Sequence, residues 1–203
     1  MKDMKEKMES RFPRRGPEAG MTLVELMMAM LILAIGLSSL TTLFVFAAYS
    51  NNKSSRDTSA TLLAQLVLEQ ITAQHPNSAA PVFVTDCAGN VWDIAYAPGA
   101  APAGAGALLV QNAANSYYGG IDPTQAYAGV PPATAATPGY AMQYVDCAQG
   151  GHQATYDVRW NVMTVSPYAR LVTVSARQLT TASQLGNRIF ALPATLRGIQ
   201  GMQ

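Results

Sequence analysis

From Leu26 to Asn52 the chain carries no charged residue, and no proline interrupts it between Pro17 and Pro76. An uncharged apolar run of this length exceeds the roughly 20 residues that a helix needs to cross a bilayer. A helix from about Thr22 to Gln74 would measure close to 80 Å at 1.5 Å per residue. Its first half is apolar on every side, as a helix buried in lipid or among other helices must be. The second half changes character. Ala60, Leu63, Ala64, Val67, Leu68 and Ile71 recur at helical spacing, against polar Arg56, Asp57, Gln65 and Glu69. That stripe requires a folded domain to cover it, and it lacks the lysine and arginine of a helix lying on a membrane surface. Gly36, Ser38 and Ser39 are poor helix formers within the apolar half. They mark either a place where the helix loosens or, the favoured reading, close packing between helices.

Charge is unevenly spread. Residues 1–20 hold six basic and four acidic residues; the rest holds seven and eight. With Arg11, Arg14 and Arg15 ahead of the span, the positive-inside rule keeps the N-terminus cytoplasmic and exports the chain beyond the span. The remainder has no basic patch, which argues against nucleic acid as a partner.

Glu25 is the anomaly, a carboxylate at the mouth of the apolar run. A plain uncut signal anchor leaves it unexplained. A secretory signal cut after Ala47 would have Val45 and Ala47 at its cleavage site, but would place a charge where its apolar region should have begun. Cleavage between Gly20 and Met21 sets Glu25 four residues from a new α-amino group. A carboxylate in lipid needs a partner, and the ammonium of a neighbouring subunit would supply it.

The stretch "GMTLVELMMAMLILAIGL", behind a basic leader ending in Gly20, resembles the cleavage and methylation motif of type IV prepilins and the related pseudopilins. Met21 stands where phenylalanine is commonest. The resemblance implies that a prepilin peptidase cuts after Gly20 and methylates the amine of Met21, and that Glu25 then helps dock the subunit into a filament. "LILAIGL" followed by "ATLLAQLVLEQI" is similar to PilV-type minor pilins and, less closely, to type II secretion pseudopilins; the likeness covers roughly residues 14–75. The implied partners are the peptidase, major and minor pilins, the inner-membrane pilus assembly machinery and the lipid bilayer. The implied location is the inner membrane, single-pass, and then the periplasm or the surface filament.

The expected division is a leader over 1–20, a transmembrane or filament-core helix over 21–50, and an exported domain over 51–203. "PVFVTDC" and "NVWDIAY" read as short strands. Residues 97–140, rich in alanine, glycine and proline, should be largely loop with little buried apolar area; within them "ALLVQN" could form one strand or a helical turn. Tyr117, Tyr118, Tyr127 and Tyr140 are expected to anchor that loop. Alternation over Tyr156–Val162 and Val172–Arg177, around Ser166-Pro167-Tyr168, predicts a hairpin at 155–178 with one buried face. Residues 179–203 have weak periodicity and read as an irregular tail. The fold class is therefore α+β: a long N-terminal helix whose amphipathic half packs on a small antiparallel sheet, which is also the pilin-like arrangement.

Two cysteines, Cys87 and Cys147, favour one disulfide in an exported chain over two free thiols. They provide too few ligands for zinc. His75 and His152 read as solvated loop residues. Asp93 or Asp146 could join a calcium site, but no calcium-loop pattern is present, so no metal is expected. No hydrolase, zincin, P-loop or dinucleotide motif occurs, so neither a cofactor nor catalysis by this chain is expected.

Overall fold

The computed structural model describes residues 20–75, 78, 80–112, 117–147, 153–179 and 193–201. Among these, one helix, α1 (Leu23–Ala73), is followed by nine strands: β1 (Phe83–Thr85), β2 (Val91–Asp93), β3 (Ala105–Gly106), β4 (Leu109–Asn112), β5 (Tyr117–Ile121), β6 (Ala141–Cys147), β7 (Gln153–Ser166), β8 (Ala169–Gln178) and β9 (Ala194–Gly201). The architecture is α+β and pilin-like, with every strand pairing antiparallel. Two units divide the chain at Ser50 and Asn51.

In the first unit every residue from Gly20 to Ala48 is exposed. The helix runs unbroken through Gly36, Ser38 and Ser39. Three hydroxyls of this half are turned back on the helix backbone: Ser38 donates to the Ile35 carbonyl (2.8 Å), Thr41 to that of Leu37 (2.6 Å) and Thr42 to that of Ser38 (2.9 Å). Hydroxyls satisfied in this way can enter an apolar environment without an orphaned donor.

In the second unit Ala60, Leu63, Ala64, Val67 and Ile71 of α1 are buried. They pack with Val158, Trp160, Val162, Val172, Val174 and Ala176 in one core. The sheet runs β3-β7-β8-β9, and β6 shares with β3 the same edge of β7. Register aligns Trp160 with Val174 and Val174 with Leu196, so these inward positions form continuous rows.

Three features differ from the sequence expectation. First, the β7–β8 hairpin buries both faces rather than one: Asp157, Arg159 and Asn161, on the outward side, are 2%, 4% and 1% exposed. Their cover is the alanine- and glycine-rich segment. Asn161 Nδ2 donates to the carbonyls of Ala103 (3.0 Å) and Ala107 (2.8 Å), Arg159 Nη1 to that of Gln125, and Arg177 Nη1 to that of Pro123 (3.1 Å). Asp157 completes the lattice, accepting from Arg159 Nε at Oδ1 (2.8 Å) and from Arg177 Nη2 at Oδ2 (3.1 Å). A chain with small side chains presents its carbonyls instead, and buried guanidinium and amide donors take them up.

Second, the 97–140 segment is more ordered and more buried than its composition suggests. It forms β3, β4, β5 and a 3₁₀ turn at Tyr127–Gly129, and Ala107, Leu109, Ile121 and Val130 join Ala141 in a separate small core. Gly106 sits at φ +104°, and a Cβ there would collide with the Tyr140 ring. Tyr140 anchors the segment by donating to the Ala97 carbonyl (2.7 Å). The Arg159 guanidinium lies 5.8 Å from the Tyr127 ring centroid. The anchoring expected of the Tyr117 and Tyr118 side chains lies outside the described residues.

Third, the expected irregular tail contains β9, an eight-residue strand on β8. Its inward positions are Ala194, Leu196, Gly198 and Gln200; Leu196 alone is large and apolar, so no apolar alternation registers. Gly198 lies close to the helix: a Cβ there would come within 3.0 Å of the Leu68 side chain of α1, which would have to give way. Gln200 caps the helix: its Nε2 donates to the carbonyls of Thr72 (2.9 Å) and Gln74, while its Oε1 accepts from Arg170 Nε (2.6 Å). The last turn of α1 has no basic residue of its own. Fully buried Arg170, relayed through Gln200, brings positive charge to that negative helix end. Burial pushes the Arg170 pKa below its ordinary value. Residues 180–192 lie outside the described residues.

Cys87 and Cys147 form a disulfide across 60 residues, tying the β1–β2 turn to the end of β6. Closing a loop of that length contributes about 4 kcal/mol in the chain-entropy model. Beside it, the Asp86 carboxylate accepts from Asn90 N (2.8 Å), Asn90 Nδ2 (2.8 Å) and Val145 N (3.3 Å). Burial raises its pKa, but these hydrogen bonds outweigh burial and hold the carboxyl below the ordinary aspartate value.

Candidate processing and assembly site

The first helical turn of α1 is built by Thr22. The Glu25 N–H donates to Thr22 Oγ1 (3.3 Å) and the Leu26 N–H to the Thr22 carbonyl (3.1 Å), so Thr22 is the N-cap and Glu25 occupies the third helical position. Thr22-Leu23-Val24-Glu25 is thus the S/T-x-x-E pattern of a capping box. The pattern is a sequence signal for a helix that begins at Leu23, one residue inside the start at about Thr22 expected from the proline-free apolar run. Only half of the box is made. Among the described residues the Glu25 carboxylate has no hydrogen-bond or ion-pair partner.

Gly20 and Met21 precede the helix and are exposed, Met21 at 63%. A Cβ built on Gly20 meets nothing within 4 Å. The backbone between them therefore lies outside regular structure and is exposed. Downstream, Leu23 (75%), Leu31 (57%), Leu40 (63%) and Phe46 (71%) are exposed around the helix. The helix is long and apolar enough to cross a membrane. The site thus combines an accessible peptide bond, an unpartnered carboxylate one turn into a capped helix, and an apolar surface that water does not favour.

The disulfide belongs to the second unit. His75 is exposed and follows the helix end; His152 lies outside the described residues. Among the described residues no three His, Cys, Asp or Glu side chains gather as metal ligands, and Asp93 and Asp146 form no such group.

Residues 15–41 match the prokaryotic N-terminal methylation motif. This match spans Arg15, the Gly20–Met21 bond, Glu25 and the first half of the apolar run. It makes the chain a type IV prepilin-like protein, with the membrane-anchoring apolar helix of that class. More particularly, the motif supports a type IV pilin or pseudopilin precursor and implies processing by prepilin peptidase and assembly with other pilins. No curated protein and no solved structure matches the chain.

Proposed function

We propose that this chain is the precursor of a PilV-like minor type IV pilin. It waits in the inner membrane with a cytoplasmic N-terminus and its second unit in the periplasm. Prepilin peptidase cuts it after Gly20 and methylates the amine of Met21. It then joins other minor and major pilins, through the assembly machinery, to prime or cap a filament. The protein is acted on by an enzyme and performs no catalysis itself.

The observation that carries this reading is the unpartnered carboxylate of Glu25 on an exposed apolar helix, inside the matched motif. In lipid or in a helical core such a charge requires a counter-charge. The α-ammonium of a neighbouring Met21, created by cleavage, has the right sign and becomes available at the moment of assembly. Glu25 then fixes the axial register between subunits, while the surrounding apolar side chains supply area.

Replacing Glu25 with Ala tests this. The variant inserts into the membrane as before, since the apolar run is lengthened rather than interrupted. Its incorporation into filaments falls at least ~10-fold, because stranding one member of a buried ion pair costs about 3–5 kcal/mol. Quantifying the subunit in sheared filaments against the membrane pool measures it. Undiminished incorporation would remove the register role.

A further inference from the structure

The second unit carries a groove of about 430 Å³ that the assembly reading does not use, walled by Pro81, Ile94, Tyr96, Pro98 and Pro138, with Asp93 among its lining residues. That volume lies within the range typical of small-ligand sites. Asp93 is only 8% exposed, yet among the described residues no hydrogen bond or ion pair reaches its carboxylate. Its backbone is held firmly: the N–H donates to the Thr134 carbonyl (3.1 Å) and the carbonyl accepts from Gly139 N (3.0 Å). The neighbouring polar groups are occupied. The Tyr96 hydroxyl lies 2.7 Å from the Ser78 carbonyl and 2.9 Å from that of Ala80, and Ser78 Oγ accepts from Ala80 N.

The Asp93 carboxylate oxygens still reach solvent, which leaves them open to a counter-charge arriving from outside. A divalent metal would want about six oxygen ligands, and no cluster of acidic or histidine side chains stands among the described residues. An organic cation on an apolar stem suits the walls better. The groove's own aromatic residue is Tyr96. A carboxylate in an apolar, partly aromatic groove favours a planar guanidinium, which pairs bidentately with the carboxylate and is weakly enough hydrated to sit against apolar walls.

We propose that this groove is a docking site for an arginine side chain presented by a partner protein. The prolines hold the aliphatic stem and Asp93 the guanidinium. The inference is independent of how the N-terminus is processed.

The test uses the full chain in detergent micelles and three probes: acetyl-Ala-Arg-Ala-amide, the same peptide with neutral citrulline for arginine, and ethylguanidinium. Backbone amide resonances of Asp93, Ala95 and Tyr96 are followed by NMR. The arginine peptide should shift them saturably, with the citrulline peptide binding at least ~10-fold more weakly, since charge-assisted bonds are about twice as strong as neutral ones. Ethylguanidinium should also be weaker than the arginine peptide. Asp93→Asn should abolish the response and leave the thermal midpoint unchanged or raised, because the carboxylate has no native partner to lose. Absence of a saturable shift, or equal binding of the citrulline peptide, overturns the site. Ethylguanidinium binding as tightly as the peptide overturns the protein partner. A lowered midpoint in Asp93→Asn assigns the carboxylate a structural role and overturns the proposal.

Discussion

A Gly20→Leu chain is expected to stay in the membrane with its residues 1–20 still attached, its processed form reduced by roughly 10–200-fold. The enzyme's needs and the substrate's own are separable at this position. Within this chain a Cβ at Gly20 meets nothing, and the start of α1 is fixed by Thr22, two residues further on. The substitution therefore leaves the helix and its cap intact. Under the proposed cut after Gly20, what it alters is the fit of the scissile bond in the peptidase, where one misfitting methylene costs ~1–3 kcal/mol, or roughly 10–200-fold. Immunoblotting of membranes for the two sizes measures it. A mature-sized band at the normal level would place the cut elsewhere.

The second large effect lies in the folded unit. Asp157→Asn keeps the shape of the side chain and removes its charge. Arg159, 4% exposed, then loses the carboxylate that its Nε and Nη2 share, and Arg177 loses the same partner. Breaking a buried pair from one side costs about 3–5 kcal/mol, which for a unit of this size lowers the unfolding midpoint by roughly 10 °C. Thermal unfolding followed by far-UV circular dichroism provides the measurement. A change below ~1 °C would mean that the segment over the outer sheet face is held by something other than this charge lattice.

The N-terminal part of the chain is open to reading from the sequence because its physics is one-dimensional. The long uncharged run, the absence of proline and the Gly-Met-Thr-x-x-Glu order depend on neighbours along the chain. The hairpin turn at Ser166-Pro167-Tyr168 is legible for the same reason, and its apolar alternation picks out the inward rows of Trp160 and Val174. The outer face is not legible. Asp157, Arg159 and Asn161 look solvated in an alternating strand, and only the fold shows that carbonyls of the alanine- and glycine-rich segment cover them. Composition predicts little apolar burial there; it cannot predict burial through backbone hydrogen bonds. β9 is hidden because its inward residues answer to particular neighbours: Gly198 to Leu68, and Gln200 to the helix end and Arg170. The exposed site at Glu25 is located by motif, yet its lack of a partner is a statement about three dimensions.

A cut that creates a positive chain end next to Glu25 is the central claim, and intact-mass and N-terminal fragment analysis of the native protein from membranes and filaments tests it most directly. The expected chain begins at Met21 with one added methyl group on its amine, residues 1–20 being absent. A native chain that retains those residues, or one that begins at Ala48 beyond most of the apolar run, would contradict it.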